Sequence, residues 1–228
     1  MPPANLDAIA RSLRRRYSDF DHYNKKNPLD ELIFIICSVQ TAEVSYRRTF
    51  RALRDEFRTF AHLNEAPASY LARPLKPGGL SLQKSRSLRR IFNAIGERFG
   101  SLTLSPLRDF SDSEAEEFLM SLPGVGKKVA RCVMMYSLDR AVFPVDTHCW
   151  RIARRIGWIR PTTSDGHCSN RDMDRLQKKI DPSWRYSLHV NFISLGREFC
   201  TATNPKCTQC PIEANCRKIG VSKISYRK

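Results

Sequence analysis

An all-α fold is what this chain predicts, and three observations predict it. Apolar residues recur at helical spacing almost throughout, beginning with Leu6, Ile9, Leu13 and Tyr17. Start and stop signals punctuate those stretches, and no strong hairpin signal, internal repeat or low-complexity tract interrupts them. Hydrophobic residues make up 41% of 228, enough for a sizeable core in one large domain or two small ones.

The elements follow in order. The first helix is basic, carrying Arg11, Arg14, Arg15 and Arg16. Residues 30–40 are apolar nearly all round. A buried strand competes there, because Ile and Val are β-branched. Asn27-Pro28 is a helix start and the run exceeds strand length, which favours a buried helix. Pro77-Gly78-Gly79 is a break, followed by a helix with Leu88, Ile91, Phe92 and Ile95 on one face. Ser111-x-x-Glu114 and Ser113-x-x-Glu116 both fit a capping box, ahead of a stripe of Ala115, Phe118, Leu119 and Leu122. Pro123-Gly124-Val125-Gly126 ends that helix. The next starts at once, with Val129, Val133 and Tyr136 on one face, and another begins after Asp146.

Charge narrows the function classes. Lys and Arg total 39 against 23 Asp and Glu, a net of +16. A polyanion partner is expected, nucleic acid before an anionic membrane surface, with a merely solvated basic face as the alternative. The arginines of residues 1–20 do not suit a signal peptide, and the longest apolar run, Leu32 to Cys37, is too short to span a bilayer. Eight cysteines in that context suggest a reducing compartment, where ligation is commoner than disulfides. The expected locations are bacterial cytoplasm, at the nucleoid, or a eukaryotic nucleus.

Cys200, Cys207, Cys210 and Cys216 carry the sharpest chemistry. Their spacing is C-x6-C-x2-C-x5-C within seventeen residues. Zinc sites usually use two C-x-x-C pairs, whereas one pair flanked by single cysteines favours four thiolates on a [4Fe-4S] cluster. Cys37, Cys132, Cys149 and Cys168 are scattered and read as small apolar residues.

Gly124-Val125-Gly126 lies between two amphipathic helices. Glycines allow a tight turn with positive φ and a close backbone approach. The following helix N-terminus, with Lys127 and Lys128, suits a phosphate and is blind to base sequence. An ordinary helix–helix turn is the competing reading.

The string Leu122-Pro-Gly-Val-Gly-Lys-Lys128, the segment Pro144-Val-Asp-Thr-His148 and the four cysteines together resemble the endonuclease III branch of the helix-hairpin-helix (HhH-GPD) DNA glycosylases. The resemblance covers roughly residues 25–220. It implies a two-lobed all-α fold. A six-helix barrel lobe would span 21–140, and an iron–sulfur lobe would join 1–20 to 141–228, with duplex DNA lying across the cleft between them. It implies a monomeric, bifunctional glycosylase and AP lyase of base excision repair. Lys128 would be the nucleophile and Asp146, eighteen residues later, its partner. A surface lysine and a helix N-cap are the plain alternatives for these two residues. Gln40 and Leu80 match residues that fill the space of a flipped base. Gly124, Val125, Gly126, Lys127 and His148 match DNA-facing positions.

Further stretches are similar to the plant DEMETER-like 5-methylcytosine glycosylases: Phe143-Pro-Val-Asp146, Gly157-Trp158, Leu188-His189 and Leu195-Gly196-Arg197. They raise 5-methylcytosine or mispaired thymine as the alternative base. Leu195 replaces a histidine usual in endonuclease III-like enzymes, and with Thr41-Ala42-Glu43 it is expected to border the base pocket. A non-catalytic DNA-binding protein, a zinc-dependent nucleic-acid binder and a lyase with little glycosylase activity are the remaining alternatives.

Overall fold

The computed structural model describes residues 2–39, 41–57, 62, 67–76 and 81–221. The helices are α1 (Leu6–Tyr17), α2 (Pro28–Ser38), α3 (Glu43–Glu56), α4 (Ala68–Leu75), α5 (Ser81–Phe99), α6 (Asp112–Ser121), α7 (Lys127–Ser137), α8 (Thr147–Ile156), α9 (Asn170–Lys179) and α10 (Pro182–Glu198). Single 3-10 turns lie at Ser105–Asp109, Cys207–Gln209 and Glu213–Asn215, and the described residues contain no strand. None of these helices is long and apolar enough to cross a membrane. The chain forms two compact units, residues 24–140 and residues 1–23 with 141–228.

In the unit of residues 24–140, α2 is the buried helix the apolar run predicts. Asn27 caps it by accepting the Leu29 and Asp30 amides, and Pro28 occupies its first turn. Leu32, Ile33, Phe34 and Cys37 are all buried, because α2 is packed by α3, α5 and α7. Leu88, Ile91, Phe92 and Ile95 of α5 are each at most 1% exposed. Of the two capping boxes expected, only the one at Ser111 forms, with both hydrogen bonds to Glu114 made. Ser113 instead bonds Glu117, while Glu116 turns to α7. The sequence places one face of α7 in the core. In the structure every residue from Ala130 to Ser137 is buried, since α2 and α6 both pack on it.

In the other unit, α1 and α8 both pack on α10. Leu6, Ile9 and Leu13 join a core with Phe143, Cys149, Ile152, Leu188, Phe192 and Leu195. Polar contacts fasten α1 to the cysteine segment. Asn5 Nδ2 donates to Asn215 O at 2.8 Å and Ser12 Oγ to Pro211 O at 2.8 Å. Tyr17 and Arg16 both donate to Glu198 at the end of α10. Asp146 caps α8 at its start, and Gly157 at φ 89° closes it with a left-handed turn that only glycine adopts cheaply.

Leu13 is fully buried. Leu13→Ala should therefore cost about 2–5 kcal/mol of unfolding free energy, measured by urea titration.

Candidate nucleic-acid interface and cysteine centre

The hairpin between α6 and α7 is built by Leu122, Pro123, Gly124 and Val125. The Val125 amide donates to Leu122 O at 3.0 Å and Gly124 sits at φ 82°. Proline at the second position and a positive-φ glycine at the third make a type II arrangement. Val125 is buried and anchors the turn, whereas Gly124 and Gly126 are exposed. Sequence reasoning assigns positive φ to both glycines, yet Gly126 is extended at φ −93°. What it contributes is room: a Cβ there would meet nothing within 4 Å. As N-cap of α7 it supplies no side-chain hydrogen bond to the first-turn amides. A bare helix N-terminus carries partial positive charge suited to an anion.

Lys127 and Lys128 open α7. Lys127 Nζ lies 3.5 Å from Glu116 Oε2, and buried Arg131 donates through Nε to Glu116 Oε1. Glu116 thus balances two cations that sequence reasoning leaves uncompensated beside Lys128. Its position on another helix gave no local signal.

Asp146 and His148 lie in the other unit. Asp146 is half-buried and extended, and its Oδ1 accepts the Cys149 amide at 2.7 Å. The N-cap role and a chemical role are compatible, because the cap fixes the carboxylate's orientation. His148 is held by Arg151, whose Nη2 donates to His148 Nδ1 at 2.9 Å and to Gly196 O at 3.1 Å. A guanidinium only donates, so Nδ1 accepts and Nε2 carries the proton. Burial pushes the imidazole below its ordinary pKa, and Arg151 and Arg197 push the same way against Asp146. The Gly196 backbone, like Asp146, favours the charged form, so burial sets the direction of the shift. Arg151 Nε also donates to Cys200 O at 2.8 Å. In the sequence Arg151 stands out only in the Arg151-Ile-Ala stretch similar to the DEMETER-like enzymes, although its i+3 spacing from His148 placed both on one helical face.

Cys200, Cys207, Cys210 and Cys216 line one small pocket, together with Leu195 and Phe199. All eight cysteines of the chain are free thiols. Among the described residues no three His, Cys, Asp or Glu side chains are drawn together tightly enough to hold a metal ion. The surroundings nonetheless suit four thiolates. Arg155 Nη1 donates to Cys200 Sγ at 3.3 Å and the Lys218 amide to Cys216 Sγ at 3.4 Å. Burial pushes the Cys210 thiol up to about 11, and the other three cysteines add to that rise. Leu195 is fully buried in this core and lines the cysteine cavity. Its helical position turns it inward beside Ile152 and Phe199. Gln40 and Leu80 fall outside the described residues.

Residues 33–178 match the family described as HhH-GPD superfamily base excision DNA repair protein. The chain belongs to the HhH-GPD superfamily. DEMETER-like protein 2 of Arabidopsis thaliana is 32% identical over 162 residues, 65% of this chain and 12% of that protein. The DNA glycosylase/AP lyase ROS1 of the same plant is 30% identical over 178 residues, 72% of this chain and 13% of that protein. This HhH-GPD chain thus spans about an eighth of the length of those two relatives. Endonuclease III of Thermotoga maritima is 24% identical over 226 residues, 97% of this chain and 98% of the relative. A solved non-covalent endonuclease III–DNA complex shares the fold, with TM-score 0.79, 24% identity and 94% of each chain covered. A thermostable thymine-DNA glycosylase does so at TM-score 0.75 and 17% identity, over 93% of this chain and 95% of the other.

Gly196 is the tightest point of the Asp146 unit. A Cβ there would lie 2.4 Å from His148 Nδ1 and 2.8 Å from His148 Cβ. Helix propensity favours alanine by about 1 kcal/mol. The overlap reaches His148 Cβ, which cannot swing aside, and overpacking costs about 1–3 kcal/mol. Gly196→Ala is therefore expected to lower the thermal midpoint, measured by calorimetry.

Proposed function

We propose that this protein is a bifunctional DNA glycosylase and AP lyase that removes a damaged or modified pyrimidine from duplex DNA. The observation that carries the reading is the placement of Lys128. It stands at the second position of α7, directly behind the Gly124–Gly126 turn, with Asp146 eighteen residues later at the head of α8.

The hairpin amides would hold a DNA phosphate. The target base would be extruded, because C1′ of its sugar is unreachable within the stack. Unprotonated Lys128 Nζ attacks C1′ and the bond from C1′ to the base breaks. The base leaves with the electron pair and takes up a proton. The sugar ring opens to a Schiff base between Nζ and C1′. Loss of a C2′ proton then expels the 3′ phosphate, nicking the strand 3′ to the lesion. Asp146 stabilises positive charge on the sugar during base departure and assists proton transfer. His148, with Nδ1 held by Arg151, is left with Nε2 for a phosphate or base contact.

Cys200, Cys207, Cys210 and Cys216 would hold a [4Fe-4S] cluster. Bound there, it supplies a cross-link that fixes the loop bearing exposed Lys206 and Arg217. Base removal and elimination transfer no net electrons, so the chain's own residues suffice for both steps. Duplex DNA is the partner, a monomer the expected state, and the nucleoid or nucleus the expected location.

The plant relatives favour a second reading of the base, 5-methylcytosine or mispaired thymine.

Borohydride trapping tests the chemistry. Duplexes would carry an abasic site, an oxidised pyrimidine, 5-methylcytosine or a G·T mispair. Wild type should give a covalent adduct and Lys128→Ala none, and the duplex yielding most adduct names the base. No adduct on any duplex, with DNA binding intact, would leave a non-catalytic DNA-binding protein. Separately, the purified protein should contain about four irons and four acid-labile sulfides per chain, and Cys207→Ser should lose both. A colourless, zinc-loaded sample would overturn the cluster.

A further inference from the structure

A buried histidine, His189 of α10, lies against the Asp146 turn and is 1% exposed. Its Nδ1 lies 3.0 Å from Pro144 O and 3.4 Å from Cys149 Sγ. A carbonyl oxygen only accepts, so Nδ1 carries the proton and donates to Pro144 O. The ring's edge also meets Phe143, with centroids 6.1 Å apart at 87°. Pro144 is two residues before Asp146. Cys149 is three residues after it, and the Cys149 amide is what Asp146 Oδ1 accepts. One imidazole therefore touches the chain entering Asp146 and the residue whose amide orients its carboxylate.

Packing alone does not call for histidine here. Phe143 and Cys149, which the ring touches, are buried and apolar, and an aliphatic side chain would pack against them as well. An aliphatic would, however, leave the buried Pro144 carbonyl without this donor. We propose that His189 is a positioning residue for Asp146, acting through its Nδ1–H to Pro144 O. The inference rests on the catalytic reading of Asp146 given above. If the Pro144 carbonyl loses its donor, the extended Pro144–Asp146 segment relaxes and the carboxylate shifts with it. A misplacement of about 1 Å is worth on the order of 100-fold in rate.

The test uses the full chain and a duplex with a single abasic site. Asp146→Asn, His189→Asn and His189→Phe are compared with wild type. Asparagine puts an amide N–H where the imidazole Nδ1–H was. Phenylalanine keeps the ring and its contact with Phe143 but has no donor. The readouts are the single-turnover nicking rate, the duplex Kd and the thermal midpoint. Asp146→Asn should nick at least about 100-fold slower. His189→Phe should be about 10-fold slower or worse with Kd within about 2-fold, and His189→Asn should stay within about 3-fold of wild type. Should the phenylalanine variant not fold, His189→Gln replaces it, since its amide sits one carbon too far out, with the same expectation. If Asp146→Asn is slow but the variant without the donor matches wild type, the positioning role is overturned and the reading of Asp146 stands. If His189→Asn is as slow as His189→Phe, the ring rather than the donor matters, and the proposal is again overturned. If Asp146→Asn nicks at the wild-type rate, the proton-transfer role of Asp146 at the abasic site falls and takes this proposal with it.

Discussion

Every helix begins with backbone amides that the helix itself cannot satisfy, and the chain meets this constraint differently at each start. Asn27, Ser111, Ser169 and Asp181 give side-chain oxygens to α2, α6, α9 and α10. Those starts are closed, and the helices serve as packing elements. At α7 the chain places Gly126, gives no side-chain cap, and follows it with two lysines. At α8 the cap is Asp146, a carboxylate that holds its own orientation while it closes the helix. An uncapped positive end and a pre-set carboxylate are the two features from which the proposed chemistry is built. The rest of each unit keeps them in place.

Features set by near neighbours were legible in the sequence. The Ser111–Glu114 box, the Asn27-Pro28 start, the inward face of α5 and the turn at Gly124 depend on residues a few positions apart. Features set by packing were not. Ser113-x-x-Glu116 fits the same pattern, but a helix has one N-cap. With Ser111 in that role Ser113 lies inside α6, and Glu116 is left to pair with Arg131 and Lys127 on another helix. The sequence around Val129 and Val133 suggests one buried face. Only the sandwiching of α7 between α2 and α6 buries the remainder. Leu195 could be assigned to a pocket from its neighbours in the chain, but its direction follows from the pitch of α10. The candidate site was half legible for the same reason. Lys128, Asp146 and the cysteines announce themselves by spacing, whereas Glu116, Arg151 and His189 act across the fold.

The cysteine segment illustrates how a site can be inferred from what its surroundings resist. Four thiols line one cavity, and each ionised sulfur makes the next harder to ionise. Arg155 and the Lys218 amide supply hydrogen bonds to two of the sulfurs, which is the support expected around metal-bound thiolates. A cationic centre would turn mutual repulsion into shared attraction. Arg151 and Arg155, four residues apart on α8, also bond the carbonyls of Cys200, Thr201 and Ala202. The helix headed by Asp146 is thus fastened along its length to the segment bearing the first cysteine.

The docking of α1 on Asn215 and Pro211 has a consequence for how the chain is made. Residues 24–140 form a compact unit from one continuous stretch of chain. Helix α1 emerges before them, yet the surface that buries Leu6, Ile9 and Leu13 is encoded after residue 140. The first helix must therefore wait, apolar stripe uncovered, through the synthesis of the whole intervening unit. Its arginines Arg11, Arg14, Arg15 and Arg16 keep the waiting segment soluble and self-repelling.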